Sequence, residues 1–184
     1  SEKINKTITE SVDPENITAI PPELDDLSRL HYIVLNRKVT TIMEFGVGKS
    51  TRIFAEALKI NQNKYHDITS RNLRRKNLYQ CHSVDNNKIW IDNCTKEIPN
   101  EFFLHNLVNI HFSNVITSEF VGRVCTYYEY LPNVCPDLIY LDGPDQFSPI
   151  GDVRGLSTRH QDRMPMAADI LTFEHFLLPG TLII

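Results

Sequence analysis

The sequence predicts an α/β protein built on a doubly wound, mainly parallel sheet with helices on both faces. Three observations carry that prediction. Short runs rich in apolar and β-branched residues, at 39–45, 79–84, 108–112 and 138–141, alternate with stretches of helical character, the pattern of strands joined by crossover helices. The run Leu138–Leu141 is apolar without interruption, as a strand buried on both faces of a parallel sheet must be. The run ending at Phe45 passes directly into Gly46, Gly48 and the helix-starting pair Ser50 and Thr51, so strand, glycine turn and helix follow in immediate succession.

Residues 1–20 hold few large apolar side chains and include Pro14, which predicts a flexible arm; residues 21–184 form a single domain. Pro21-Pro22 opens a helix from Glu23 to Asn36, with Leu24, Leu27, Leu30 and Ile33 on one face. Strand one covers Val39–Phe45. The helix after it runs from Ser50 to Ile60, its buried stripe marked by Ile53, Ala57 and Ile60. The polar segment Asn61–Lys76 reads as an insertion before strand two, and its run of Arg71, Arg74, Arg75 and Lys76 as a solvated face.

Strand two is Tyr79–Val84, followed by a helix over Asn87–Cys94 with Ile89, Trp90 and Ile91 as its apolar bulk. Strand three is Val108–Phe112, with Asn109 and His111 alternating outward. The stretch Phe120–Leu131 carries Tyr127, Tyr128 and Tyr130 and suits either an extra strand or an aromatic wall. Strand four is Leu138–Leu141. A loop rich in Gly, Pro, Asp and Ser spans Asp142–His160, and a final helix, Met164–Leu178, leads through Pro179-Gly180 into Thr181–Ile184. That last run is expected to pair with strand four. It stops without a polar tail, which would set a terminal carboxylate beside the sheet interior; the expectation is that the natural chain continues past Ile184 and that the C-terminal strands of the fold are missing.

A chain of 184 residues can bury a sizeable core. Its net charge of −4 argues against dedicated binding of nucleic acid or a membrane surface. No apolar run approaches the roughly 18 residues of a membrane span, and residues 1–14 contain no signal-peptide core. Cys81, Cys94, Cys125 and Cys135 show no Cys-x-x-Cys spacing. Free thiols are expected, and with them a cytoplasmic, reducing compartment.

The segment Val39–Thr51 admits two chemistries. Gly48-Lys49-Ser50-Thr51 is the tail of a phosphate-binding loop, but that signature needs glycine where Met43 stands. Glu44 would also sit inside the loop and repel a polyphosphate. What remains is Glu-x-Gly-x-Gly after a buried strand. The acid suits a ligand with a positive amino group, and the glycines let a nucleoside lie against the turn. A third reading is a strand–turn–helix with no ligand at all.

Ile42 through Thr51 resembles the first motif of class I S-adenosylmethionine-dependent methyltransferases, especially the branch in which Ser-Thr follows the second glycine. Gln80–Asp85 is similar to the family's second strand, which ends in the acid that binds the ribose hydroxyls. Asp137–Asp145 is similar to its fourth strand, which ends at the active-site edge. The likeness runs from about Val39 to the end of the chain, and the order and spacing of the motifs weigh more than any one of them. The resemblance implies a Rossmann-like methyltransferase fold with S-adenosylmethionine as cofactor. It implies cofactor contacts from Glu44, Gly46, Gly48, Ser50, Thr51, Asp85, Asn86, Ser113 and Asp142, with Ser113 and Asn114 at the adenine edge.

In such sheets ligands sit beyond the carboxyl ends of the strands, and Glu44, Asp85, Ser113 and Asp142 would share that edge. Each has a plainer reading as well. Asp85 could cap a helix, Ser113 and Asn114 could form a turn, and Asp142-Gly143-Pro144 is good turn chemistry. The catalytic candidates are Asp142, Asp145 and His160. Asp142 could hold the methionine amino group or orient an acceptor hydroxyl, Asp145 and Gln146 could reach the acceptor, and His160 could remove its proton. Arg154, Arg159 and Arg163 could bind an acidic acceptor or merely solvate the loop. Asp142, Asp145, Asp152 and His160 could also gather as an oxygen-rich metal site, though no metal is assigned. The reading with the most support is O-methylation of a small-molecule acceptor such as a sugar, with no nucleic acid and no membrane insertion. The rivals are a phosphate-loop hydrolase or kinase and a non-catalytic α/β binding module.

Overall fold

A computed structural model describes residues 24–184; the expected arm at 1–20 and the Pro21-Pro22 helix start lie outside the described residues. In chain order the elements are α1 (Leu24–Asn36), β1 (Thr41–Phe45), α2 (Lys49–Asn72), β2 (Gln80–Asp85), α3 (Lys88–Glu97), α4 (Asn100–Leu104), β3 (Val108–Phe112), β4 (Val115–Phe120), β5 (Arg123–Tyr128), β6 (Leu138–Leu141), α5 (Asp169–Phe173) and β7 (Leu182–Ile183). Five of the strands form one parallel sheet in the order β3-β2-β1-β6-β7, the doubly wound α/β arrangement that the sequence predicts. The chain moves outward from β1 to β3 and then returns to set β6 against the other side of β1. The strand order therefore reverses between β1 and β6, the place where open α/β sheets of this kind receive ligands.

Because strand side chains alternate between faces, each strand serves two cores. Ile42, Cys81, Val108 and Leu138 pack under α1 to α4 through Leu30, Val34, Phe54, Leu58, Cys94 and Phe102. Met43, Phe45, Val84 and Ile139 pack under Val115 and Tyr128, with Ile170 and Phe173 of α5 against them. Helices thus lie on both faces, with the longer ones all on the first.

Several elements depart from expectation. In α1 the buried residues are Leu30 and Val34, while Leu24 is exposed, so the stripe is turned from the Leu24-Ile33 face. The segment expected as an insertion continues α2, a single helix of 24 residues, about 36 Å long at 1.5 Å per residue. Its buried side is Thr51, Phe54, Ala55, Leu58 and Asn61, and Ile60 is exposed. Asn61 Nδ2 donates to the carbonyls of Val34 and Val39, at 3.0 Å each, which fastens the helix to the turn between α1 and β1. The polar residues beyond Asn61 show no apolar stripe, yet none of them is a Gly or Pro that would end the helix.

Arg75 is not part of a solvated face. It pairs with Asp137, whose Oδ2 also accepts from Thr40 N at 2.8 Å, Thr40 Oγ1 at 2.6 Å and Thr41 N at 3.2 Å. One carboxylate thereby fastens the start of β6 to the start of β1. The ambiguous stretch after Phe120 is the second half of an antiparallel hairpin, β4 with β5. The final helix is short: only α5 and a 3-10 turn at Glu174–Phe176 are helical. Pro165 lies inside the expected span and disfavours helix at Met164. β7 pairs with β6 through Leu138–Leu182 and Ile139–Ile183, as expected. The four cysteines are free, and among the described residues no helix is long and apolar enough to cross a membrane.

Candidate active site

The strand–glycine turn–helix unit is built around a buried acid. Period-two alternation turns Glu44 from β1 toward α2, where it is fully buried. A carboxylate enclosed there needs donors, and three hydroxyls supply them. Ser50 Oγ donates to Oε1 at 2.5 Å, while Thr51 Oγ1 at 2.7 Å and Ser83 Oγ at 2.5 Å donate to Oε2. Burial pushes the Glu44 carboxyl up from 4.5 to about 7; the hydroxyls of Ser50, Ser83 and Thr51 hold it down, and the charge of Asp142 adds to the rise. Glu44, Ser50 and Thr51, expected as cofactor contacts, therefore face one another inside the protein. From there they shape the turn from beneath.

The turn's amides are engaged as well. Gly46 N donates to Val84 O at 2.8 Å, Val47 N to Asp85 Oδ2 at 2.9 Å and Gly48 N to Thr51 Oγ1 at 3.1 Å. A phosphate loop needs such amides free; here the protein's own acceptors hold them. Gly46 has φ +96°, and a Cβ on it would lie 2.9 Å from the carbonyl oxygen of Asp142. The two turns at the ends of β1 and β6 thus touch through backbone. Gly48 is extended at φ −176° and has open space where a side chain would stand, so its backbone does not call for glycine.

Asp85 ends β2 almost buried. Besides Val47 N, it accepts Asn87 N at 2.7 Å. It is not the helix cap; Asn87 caps α3 by accepting from Ile89 N at 2.9 Å and Trp90 N at 3.3 Å. Desolvation raises the pKa of Asp85, the amides of Asn87, Val47 and Asn86 oppose this, and Asp145 adds to the rise. Beside it opens a cleft of about 370 Å³ lined by Asn86, Lys88, Ile89, Asn114, Ser148 and Ile150 among others. Ser113 is buried and turned away from it: its Oγ accepts from Tyr130 N at 2.9 Å and donates to Asn114 O at 3.2 Å. Asn114 lines the cleft and Ser113 does not, because the Ser113 hydroxyl is taken up by Tyr130 N and Asn114 O.

Asp142 is exposed at the end of β6, its amide held by Phe45 O at 2.8 Å and its pKa raised by partial burial. Asp145 caps its own turn, accepting from Phe147 N at 2.7 Å, Ser148 N at 3.0 Å and Ser148 Oγ. His160 is exposed, and its Nδ1 accepts from Asp162 N at 3.2 Å; its backbone carbonyl accepts from Gln146 Nε2 at 2.8 Å. The ring's contacts are local to its own loop. Among the described residues no group of three or more His, Cys, Asp and Glu side chains is placed to hold a metal ion, so Asp142, Asp145, Asp152 and His160 do not gather as one. A second cavity, of about 550 Å³, lies between 131–136 and α5 and takes in Asn77 and Pro136 near the amino ends of the strands; its lining carries no charged side chain.

The edge is strongly acidic. Asp85, Asp142 and Asp145 lie there, and no ion pair among the described residues involves any of them. Such a field favours a cationic guest and opposes a polyphosphate. Sequence reasoning missed Lys88, Ile89, Ser148 and Ile150 as cleft residues. Ile150 arrives by bridging to Ile116, with Ile150 N to Val115 O at 2.7 Å and Thr117 N to Ile150 O at 2.9 Å, a long-range contact no local pattern announces.

No family model matches the chain, and no curated protein matches it. Among solved structures it is similar to the O-methyltransferase TomG from Streptomyces achromogenes, which is involved in tomaymycin synthesis and was solved in complex with SAM. The two are 13% identical with a TM-score of 0.41, over 69% of this chain and 47% of that one. The chain thus spans about half the length of that protein, and the overlap is too slight to argue from.

Proposed function

We propose that the chain binds S-adenosylmethionine and transfers its methyl group to an oxygen of a small hydroxylated acceptor, a sugar being the class suggested by the motif resemblance. The observation that carries this reading is the acidic strand edge: Asp85, Asp142 and Asp145 have no cation partner among the described residues, and a cleft opens beside Asp85. A cofactor bearing sulfonium and ammonium charges suits that field. The engaged amides at Gly46–Gly48 weigh against the phosphate-loop alternative, as does the exposure of Lys49.

In this reading Asp85 receives the ribose hydroxyls through the lone pairs its amide donors leave free. Asn86 and Asn114 flank the adenine, and Asp142 takes the ammonium group or the acceptor hydroxyl. Transfer is an in-line displacement at the sulfonium methyl, so the protein's work is alignment and the removal of one proton. Free, mostly buried thiols suit a reducing compartment such as the cytoplasm.

Asp142→Asn tests the assignment. Asp142 lacks a side-chain partner among the described hydrogen bonds and ion pairs, so the amide should leave the melting temperature nearly unchanged. Methyl transfer from labelled S-adenosylmethionine to a panel of hydroxylated acceptors should fall about 100-fold or more, the scale of a positioned acid–base group. Unchanged turnover would make Asp142 a turn residue only.

A further inference from the structure

We infer that Tyr128 donates a hydrogen bond to the carboxylate at the amino-acid end of the bound cofactor, at the point where the turns carrying Gly46 and Gly143 cross. The inference rests on the proposed function and adds to it a residue from the hairpin. Tyr128 is 5% exposed, and its hydroxyl has no hydrogen-bond partner among the described residues. That hydroxyl lies 3.3 Å from where a Cβ on Gly143 would stand, and the same point is 3.2 Å from Gly46 N and Cα. It therefore sits at the crossing of the β1 and β6 turns, the switch point of the sheet.

The ring is aimed there by its surroundings. Tyr128 N donates to Asp169 Oδ1 at 2.9 Å, and the ring packs against Phe45 with centroids 5.7 Å apart. Burial raises the phenol's pKa, and the charges of Asp85, Asp169 and Asp145 raise it further, so the group keeps its proton. Among the carboxylates of the edge it is a donor. A buried hydroxyl without a partner destabilises a fold and persists where something else requires it.

The cofactor's own chemistry supplies the match. Its ammonium group suits Asp142, but its carboxylate needs donors. The turn amides that could serve are held by Val84, Asp85 and Thr51. The Tyr128 hydroxyl is uncommitted. The turn Gly143–Asp145 lies over it, and the ligand reaches it by displacing that turn.

The test compares wild type and Tyr128→Phe by calorimetry with two compounds. S-adenosylhomocysteine carries the amino-acid end; 5′-methylthioadenosine keeps the adenosine and thioether but lacks it. The variant should bind S-adenosylhomocysteine about tenfold more weakly and methylthioadenosine as wild type does. Its melting temperature without ligand should equal or exceed that of wild type, since the deleted hydroxyl had no partner. Equal weakening of both compounds, weakening of neither, or a lower melting temperature without ligand overturns the role of Tyr128 and leaves the cofactor reading standing. A wild-type protein that takes up neither compound overturns the cofactor reading, and this inference with it.

Discussion

Glu44→Ala is expected to destabilise the protein by about 2–4 kcal/mol and to abolish ligand binding at the strand edge. The fully buried carboxylate collects hydroxyls from three places: Ser50 and Thr51 in the first turn of α2, and Ser83 on β2. Removing it leaves three buried hydroxyls competing for few acceptors and a void beneath the glycine turn. Thr51 also accepts Gly48 N, so the turn loses its footing as well. Glu44→Gln keeps the shape and should retain most of the stability.

The same pair of variants carries a pH signature. The folded-state pKa of Glu44 is raised from 4.5 to about 7, so the folded protein holds a proton that the unfolded chain releases. The stability this contributes is full below pH 4.5 and is lost as pH rises through 7. Asp169, raised by burial from 3.8 to about 6, acts in the same direction at lower pH. His82 opposes both. Burial, then the charge of His111 stacked against it, lowers it from 6.5 to about 4, so its contribution to stability grows as pH rises from 4 to 6.5. Between pH 6.5 and 8 the His82 contribution still rises by about 0.4 kcal/mol as the unfolded imidazole finishes losing its proton, while that of Glu44 falls by about 0.8 kcal/mol. Relative to Glu44→Gln, the wild type should therefore lose about 0.8 kcal/mol of stability between pH 6.5 and 8. Urea unfolding at both pH values measures it; an identical slope in the two proteins would falsify the role of Glu44.

Gly46→Ala is expected to cost about 2–3 kcal/mol, and Gly48→Ala less than about 1 kcal/mol. At Gly46 the added methyl meets the backbone of Asp142 at 2.9 Å while φ is +96°, so strain and clash act together. The clash pushes on the end of β6, and the cost should appear as lost stability. At Gly48 the backbone is extended and the nearest atom is Ser50 Oγ at 3.9 Å. Equal losses from the two substitutions, read by thermal melting, would mean that the turn is not held as described.

The features legible in the sequence are those set by periodicity. Short strands with buried runs placed Glu44, Asp85 and Asp142 at one edge, because every parallel strand ends there. Periodicity does not report which way a hydroxyl turns after a strand ends. Ser50 and Thr51 fold back onto Glu44 because that acid faces α2, and Ser113 turns inward to accept the amide of Tyr130. The glycines looked alike in sequence, yet Gly46 meets another backbone and Gly48 only the Ser50 hydroxyl at an ordinary contact distance. Residues 61–72 have helical backbone without an apolar stripe. Tyr128 stood in a tyrosine-rich stretch whose pairing with Val115–Phe120 was not evident, and its relation to Gly143 exists only once β6 is in place.

The most direct test of the cofactor reading is calorimetric titration of the protein with S-adenosylhomocysteine and, separately, with magnesium-ATP. S-adenosylhomocysteine should bind, and Asp85→Ala should weaken that binding by about 1–3 kcal/mol. Magnesium-ATP should produce no heat of binding, and Lys49→Ala should change neither titration. Binding of magnesium-ATP that disappears in Lys49→Ala, with no response to S-adenosylhomocysteine, would contradict the account.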